Sequence, residues 1–298
     1  MMSDCPIIFV EEIIDFLKGY GFGYSVQTRN SFDVLRITIP GKQLERFILP
    51  LEIKASSQED AAAQAEEVWK SIGEILAHHG DYPLIVTQDR WNIRRGMMQK
   101  RILAHLEVFS PIYARNCEIR RIDKAVAREF LEKTHSYGHA SCRYCYGMFL
   151  KRHTGHIAVE RTAKADCVSI VPGTLVAVAT FSNARKWIKG EQVVRSYEWT
   201  RYASLPEARI SGGMGRFLKH FIKEVQPDDI MTYADLEWSQ GDVYAGLGFT
   251  LEGQKAPVMF SIDDNWQRFP VKSDISAGHL FFRNFGSNKF RMKLTEYE

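Results

Sequence analysis

Long apolar runs are missing from this 298-residue chain: none approaches the roughly 18 residues needed to span a bilayer. A basic leader is missing too, because the opening MMSDCPIIFVEEIIDFL carries Glu11, Glu12 and Asp15 where a signal peptide carries Lys or Arg. Together these predict a cytoplasmic protein with no membrane partner. Cysteine is scarce and odd in number, five in all, which fits reduced thiols better than a disulfide framework. Excess charge is also absent. Lys and Arg total 39 against 36 Asp and Glu, so the net charge of +3 identifies no nucleic-acid protein by itself. There is no internal repeat and no low-complexity tract. What remains is ordinary globular composition, 45% hydrophobic and 25% charged, which excludes disorder as the main state and allows one large domain or two ordinary ones.

Apolar spacing predicts a short helix over 10–17 and strands over 34–39 and 47–53. A helix over 56–79 opens on Ser56 and Ser57 with early acids and repeats apolar residues at Val68, Ile72, Ile75 and Leu76. A strand over 84–87 and a helix over 97–106 complete a small α/β unit. From residue 122 the pattern reads helix 125–134, strand 144–150, an inserted polar loop over 153–166, and strands over 175–181 and 196–203. An amphipathic helix over 214–225, a strand over 230–234, a short helix over 242–247 and a final strand from Phe249 follow. The expected fold is therefore α/β: a mixed twisted sheet with flanking helices over 111–298, preceded by a smaller α/β domain over 1–110.

Two local features suggest ligands. Between 90 and 128, Arg90, Arg94, Arg95, Lys100, Arg101, Arg115, Arg120, Arg121, Lys124 and Arg128 face only Glu107, Glu118 and Asp123. Such a stripe either contacts DNA phosphates or forms a solvated face. Downstream, Arg209-Ile-Ser-Gly-Gly-Met-Gly-Arg216 joins a strand to a helix. Glycines let the backbone turn and expose its amides, and the helix start adds partial positive charge, so a phosphate or diphosphate suits the turn, with Arg209 and Arg216 as counter-charge.

The stretch SGGMGRFLKHFIKEVQPDDIMTYADLEWSQGDVYAGLGF resembles the acyl-CoA-binding core of the GNAT acetyltransferase superfamily. There a glycine-rich loop opens a helix, a strand follows, and an x-x-Tyr-x-x-x-Gly-Phe element closes the core. The corresponding residues are Gly212, Gly213 and Gly215, the strand 230–234, and Tyr244 with Gly248 and Phe249. The family's Arg/Gln-x-x-Gly-x-Gly/Ala loop is matched at Arg209 and Gly212, while Met214 replaces the last small residue. The resemblance implies an acyl-CoA-dependent N-acyltransferase that uses acetyl-CoA or another acyl-CoA on a small-molecule or macromolecular amine. Across a longer span, 84–249, the strings Ile85-Val-Thr-Gln-Asp-Arg-Trp91, Lys100-Arg-Ile-Leu103, Ile112-Tyr-Ala-Arg-Asn-Cys-Glu-Ile119, Phe130-Leu-Glu-Lys-Thr-His135 and Tyr233-Ala-Asp-x-x-Trp-Ser-x-Gly241 are similar to phage and bacterial proteins in which an endonuclease-like domain or its remnant precedes a GNAT-like domain. The Tyr233-Ala-Asp stretch also resembles the Mom DNA-modification enzymes, which implies a nucleobase-modifying or DNA-binding alternative.

For acyl transfer a site must polarise a thioester, take a proton from the amine and return one to the thiolate. The resemblance places Tyr244 as general acid; packing under Phe249 is its alternative role. Asp235, at a strand end, is either base or cap for the helix near Asp242. Glu198 and Arg201 fall on opposite faces of one strand unless a bulge intervenes, and Glu198 is a candidate base. His135 is a further candidate base, or a helix-terminal histidine on the dipole. Cys142-x-x-Cys145 with His153-x-x-His156 has zinc-ligand chemistry at too short a gap, so no metal is assigned, and the two cysteines are expected on opposite faces of a strand. Asp33, Glu45 and Glu52 with Lys54 are the only local candidates for a nuclease metal cluster.

Overall fold

The computed structural model describes residues 7–30, 32–39, 41, 44–152, 170–271 and 279–297. It begins with α1 (Ile7–Gly19), a hairpin of β1 (Gly23–Arg29) and β2 (Phe32–Thr38), β3 (Glu45–Leu51), α2 (Gln58–His79), β4 (Leu84–Thr87) and α3 (Gln88–His105). The strands form one sheet in the order β1-β2-β3-β4, with β3 and β4 parallel across the α2 crossover. Five consecutive residues of β3 are buried because the sheet is covered on both faces. Ile48 packs with Ile13 and Leu17 of α1 and Met98 and Ile102 of α3. On the opposite face Phe47, Leu49 and Leu51 pack with Val68, Ile72 and Ile75 of α2. Ser57 caps α2 by accepting from the Asp60 amide at 3.0 Å, and Gly80 ends it at φ 66°.

The chain continues through β5 (Ser110–Tyr113), β6 (Cys117–Arg121), α4 (Lys124–Thr134), β7 (Tyr144–Leu150), β8 (Leu175–Phe181), β9 (Arg185–Lys189), β10 (Gln192–Ser204), β11 (Ala208–Ser211), α5 (Gly213–Val225), β12 (Asp229–Asp235) and α6 (Asp242–Gly246). Five strands follow: β13 (Thr250–Lys255), β14 (Met259–Ile262), β15 (Arg268–Pro270), β16 (Leu280–Arg283) and β17 (Ser287–Lys293). The main sheet runs β13-β17-β12-β10-β8-β7-β6, with β9 hairpinned onto β10. It is mixed: β10 and β12 are parallel and the other neighbours antiparallel. This is the mixed α/β sheet with flanking helices that the sequence predicts.

Alternation along the strands decides which helix covers which face. Phe217, Leu218 and Phe221 of α5 pack on Tyr146, Phe181, Tyr197 and Trp199, and the Phe181 and Phe221 rings stack at 3.9 Å. Ala127 and Leu131 of α4 cover Val178 and Ala203 from the other side. The polar stretch 153–166, with His153 and His156, lies outside the described residues.

The segment between β13 and β17 does not extend the main sheet. Strands β15-β14-β16 form a separate small sheet, and Ile262, Phe282 and Phe285 join the α2-side core of the N-terminal unit. Backbone continuity supports this return, since the Phe281 amide donates to the Ala55 carbonyl at 2.9 Å.

Candidate functional site

The parallel pair β10 and β12 is in register only from Ser196–Glu198 against Asp229–Met231. Beyond this point the strands part. β10 stays on β8 through a bulge between Trp199 and Arg201, and β12 stays on β17. Thr232 Oγ1 marks the fork by donating to the Trp199 carbonyl at 3.1 Å. The gap opens into a cleft of about 1050 Å³ between the two strands, with α3 and the turn after α4 along its rim. A smaller cavity of about 560 Å³ beside Arg46, His79 and Asp81 shows no comparable convergence. Arg46 is already paired there with Asp81 at 3.2 Å and Glu107 at 3.3 Å.

Arg209, Gly212, Gly213 and Gly215 line one part of the cleft. Gly212 sits at φ 76°, a left-handed conformation that favours glycine, and turns the chain into α5 with no side-chain cap. The amides of Gly213, Met214 and Gly215 therefore begin a helix without intrahelical partners. Gly213 also has no room for a side chain, because a Cβ would lie 2.9 Å from Ile210 Cγ2 and 3.1 Å from Tyr202 Oη. The exposed Arg209 guanidinium rests on the Phe109 ring at 5.3 Å, beside this turn.

Tyr244 projects from α6 onto the same cleft. Its ring packs edge-on against Trp199 and Phe249, and its phenol lies beside Thr232 at the fork. Burial pushes its pKa up, so the hydroxyl keeps its proton at neutral pH. The ring thus packs under Phe249 while the hydroxyl reaches the cleft wall.

Asp235 ends β12 and faces the cleft. Tyr137 Oη donates to Asp235 Oδ2, and the Glu237 amide donates to Oδ1 at 2.9 Å. Burial, with the nearby Glu237 charge, raises the Asp235 pKa to about 6, against the smaller lowering by Tyr137, the backbone amide and Arg90. Behind it, Glu237 is fully buried and held by Arg90 at 3.1 Å and Arg268 at 2.9 Å. Arg268 also binds Asp89, with Nη2 to Oδ1 at 3.0 Å, and the Thr87 hydroxyl at 2.9 Å. Sequence reasoning misses Tyr137, Glu237 and Arg268, whose partners are far away along the chain.

His135 caps the C-terminus of α4 and also lines the cleft. Its Nδ1 accepts from the Tyr137 amide at 3.1 Å. Burial, then Arg201, Arg101, Arg90 and Arg94, lowers its pKa to about 3, so the ring is neutral. With Nδ1 occupied as acceptor, the assigned proton lies on Nε2. In this geometry the ring of His135 is neutral, with Nδ1 engaged and Nε2 facing its remaining surroundings.

Two other expected site residues stand apart from the cleft lining. Glu198 precedes the bulge and interacts electrostatically with Arg201, which does reach the cleft. Arg216 turns away from the glycine turn: its Nη1 donates to the Ala114 carbonyl and, at 2.8 Å, to that of Cys117. It anchors α5 to the chain between β5 and β6.

The basic stripe is not one free phosphate-binding face. Arg90 is buried against Glu237, Arg94 donates to the carbonyls of His135 and Ser136, and Arg95 pairs with Glu12 at 2.6 Å. Lys100 pairs with Glu207 at 2.7 Å, Arg120 with Glu118 and Arg121 with Glu224 at 3.0 Å. Arg115 lies on Tyr113, and Arg101 turns into the cleft. Nor do Asp33, Glu45 and Glu52 converge. Asp33 accepts from Thr28, Glu45 pairs with Arg36 and Glu52 with Lys54, and no group of three His, Cys, Asp or Glu forms a metal site among the described residues. Cys142 and Cys145 do not point to opposite faces: their sulfurs are 3.4 Å apart beside Ala127 and Leu131, because Cys142 precedes β7. No described helix is long and apolar enough to cross a membrane.

No family model matches the chain, and no curated protein matches it. Solved structures of acetyltransferases do. A NatC complex bound to Gag peptide and CoA matches at 12% identity and TM-score 0.33, over 60% of this chain and 99% of that one. A spermidine N-acetyltransferase SpeG chimera from Vibrio cholerae and hSSAT matches at 11% identity and TM-score 0.34, over 60% and 96%. An acetyltransferase from Corynebacterium glutamicum, described with histone acetyltransferase HPA2, matches at 12% and 0.30, over 82% and 97%.

Proposed function

We propose that this chain is an acyl-CoA-dependent N-acyltransferase acting on an amine. The observation that carries this reading is the fork between β10 and β12, whose cleft brings the glycine turn, Tyr244 and Asp235 to one wall system. The residues fit an acyl-CoA. Free helix-start amides at 213–215 and Arg209 suit its diphosphate, and beyond Glu198 and Met231 the facing strand edges have no strand partner, so they suit the amides of its arm. The bound group would supply an activated thioester.

The chain's own residues would then divide the proton traffic. Asp235, ionised above about pH 6, accepts a proton from the amine at its carboxylate while Tyr137 and the Glu237 amide hold it in place. Tyr244 holds a proton on Oη for the departing sulfur, kept there by its raised pKa. Trp199, Tyr244 and Leu247 give the cleft an apolar wall that limits water around the reacting atoms.

Steady-state acetyl transfer to an amine panel tests this reading. Tyr244→Phe should lower kcat by about 100-fold, the lower end of the general-acid contribution, while leaving the KM for acetyl-CoA near its original value. Equal kcat in the two proteins would remove Tyr244 from the chemistry.

A further inference from the structure

Cations outnumber carboxylates along the cleft: Lys100, Arg101, Arg201 and Arg209 line it, whereas Asp235 is the sole carboxylate among its lining residues. Two of these cations have assigned polar contacts: Lys100 is paired with Glu207, and Arg201 donates to the carbonyls of Gly138 and Thr200. Arg209 and Arg101 are the two whose guanidinium has no ion pair and no hydrogen-bond acceptor among the described residues; Arg209 stands at the glycine turn, whereas Arg101 is carried on α3 and lies over the Trp238 ring at 4.8 Å.

Among the described residues lining the cleft, Asp235 is the only carboxylate that could serve as its counter-ion. Arg90 touches the same ring at 5.0 Å, but its charge is matched by Glu237. Asp235 is within electrostatic reach of Arg101, yet its oxygens already accept from Tyr137 and the Glu237 amide. Burial within the cleft walls, and then Arg90, depress the Arg101 pKa although solvent still reaches the side chain. A guanidinium resting over an indole ring, beside another cation and with its donor fork free, is prepared for a planar or tetrahedral anion.

We propose that the acceptor part of the cleft takes an amine that also bears an anionic group, a carboxylate or a phosphate-like group, anchored by Arg101. The amine half of this statement rests on the acyltransferase reading, whereas the anion half does not. Asp235 would receive the amine end, and Trp238 would flank the connecting atoms.

The test is calorimetric binding, without acyl-CoA, of 4-(aminomethyl)benzoate, 4-(aminomethyl)phenylphosphonate and the neutral 4-(aminomethyl)benzamide to the full chain. One anionic probe should bind the wild type roughly tenfold or more tightly than the amide, as expected for a charge-assisted contact, and which one does so distinguishes carboxylate from phosphate chemistry. Arg101→Met should erase that preference, and Arg101→Lys should retain part of it, which separates loss of the anchor from loss of fold. Equal binding of all three probes, no binding of either anion, or a preference that survives Arg101→Met would overturn the proposal. So would a loss confined to acetyl-CoA affinity, which would assign Arg101 to the acyl carrier. Acetyl-CoA titrated into the same samples separates the readings: anion binding without acetyl-CoA binding would leave the Arg101 site standing and remove the acyltransferase.

Discussion

At the scale of single residues, Asp235 sets the pH behaviour. Its carboxyl is raised to about 6 chiefly by burial, so a base role requires pH above that value, and log kcat/KM should fall with unit slope as pH drops through about 6. Asp235→Asn should remove most activity and this acidic limb with it. Tyr137 donates to the ionised carboxylate and thereby lowers the pKa, so Tyr137→Phe should move the limb to higher pH. A limb unmoved in Tyr137→Phe would assign it to another group. Stability has the opposite sign to activity. Because the folded state binds the Asp235 proton more tightly than the unfolded chain, stability should decline as pH rises from about 4, the ordinary Asp value, to about 6. His135 shows how a legible residue can have an illegible role: the ring was visible in Thr134-His-Ser-Tyr-Gly-His139, but the Tyr137 amide that occupies Nδ1 appears only with the turn folded.

At the scale of elements, the turn 209–215 and the fork between β10 and β12 must cooperate. Gly212→Val places a β-branched residue at φ 76°, which costs roughly 1–3 kcal/mol of backbone strain and would misaim the amides at 213–215. Acetyl-CoA affinity should fall along with melting temperature, and retained affinity in a folded variant would show that the turn does not bind the diphosphate. These elements are legible in sequence because long apolar strands flank a strongly amphipathic helix: the expected strands at 175–181 and 230–234 and the helix at 214–225 lie within one residue of those observed. The last forty-odd residues resist the same reading. The strand expected from Phe249 is β13, which starts at Thr250, but it is not the final one: β14, β15 and β16 span only three or four residues each, so period-two alternation has little to act on. The start of α3 is similarly hidden: its backbone leaves helical geometry at Arg94, the residue that reaches the carbonyls of His135 and Ser136.

At the scale of the whole molecule, the N-terminal unit and the main sheet meet around buried charge. Arg268, carried on the returning segment, ties Thr87 and Asp89 of the N-terminal unit to Glu237 immediately beyond β12. Arg268→Met leaves two buried carboxylates short of a partner and should cost about 3–5 kcal/mol in thermal or denaturant unfolding. An unchanged transition would mean that the two units do not depend on this tie. The same arrangement explains why charge counting along residues 90–128 was a poor guide, since the balancing Glu12, Glu207, Glu224 and Glu237 lie outside that segment. The central claim is that the forked cleft holds an acyl-CoA, and calorimetric titration of acetyl-CoA into wild type and Arg209→Gln tests it most directly. One site per chain, weakened roughly tenfold when the Arg209 charge is removed with no change in melting temperature, is the expected result. Absence of binding to the folded wild-type protein would contradict it.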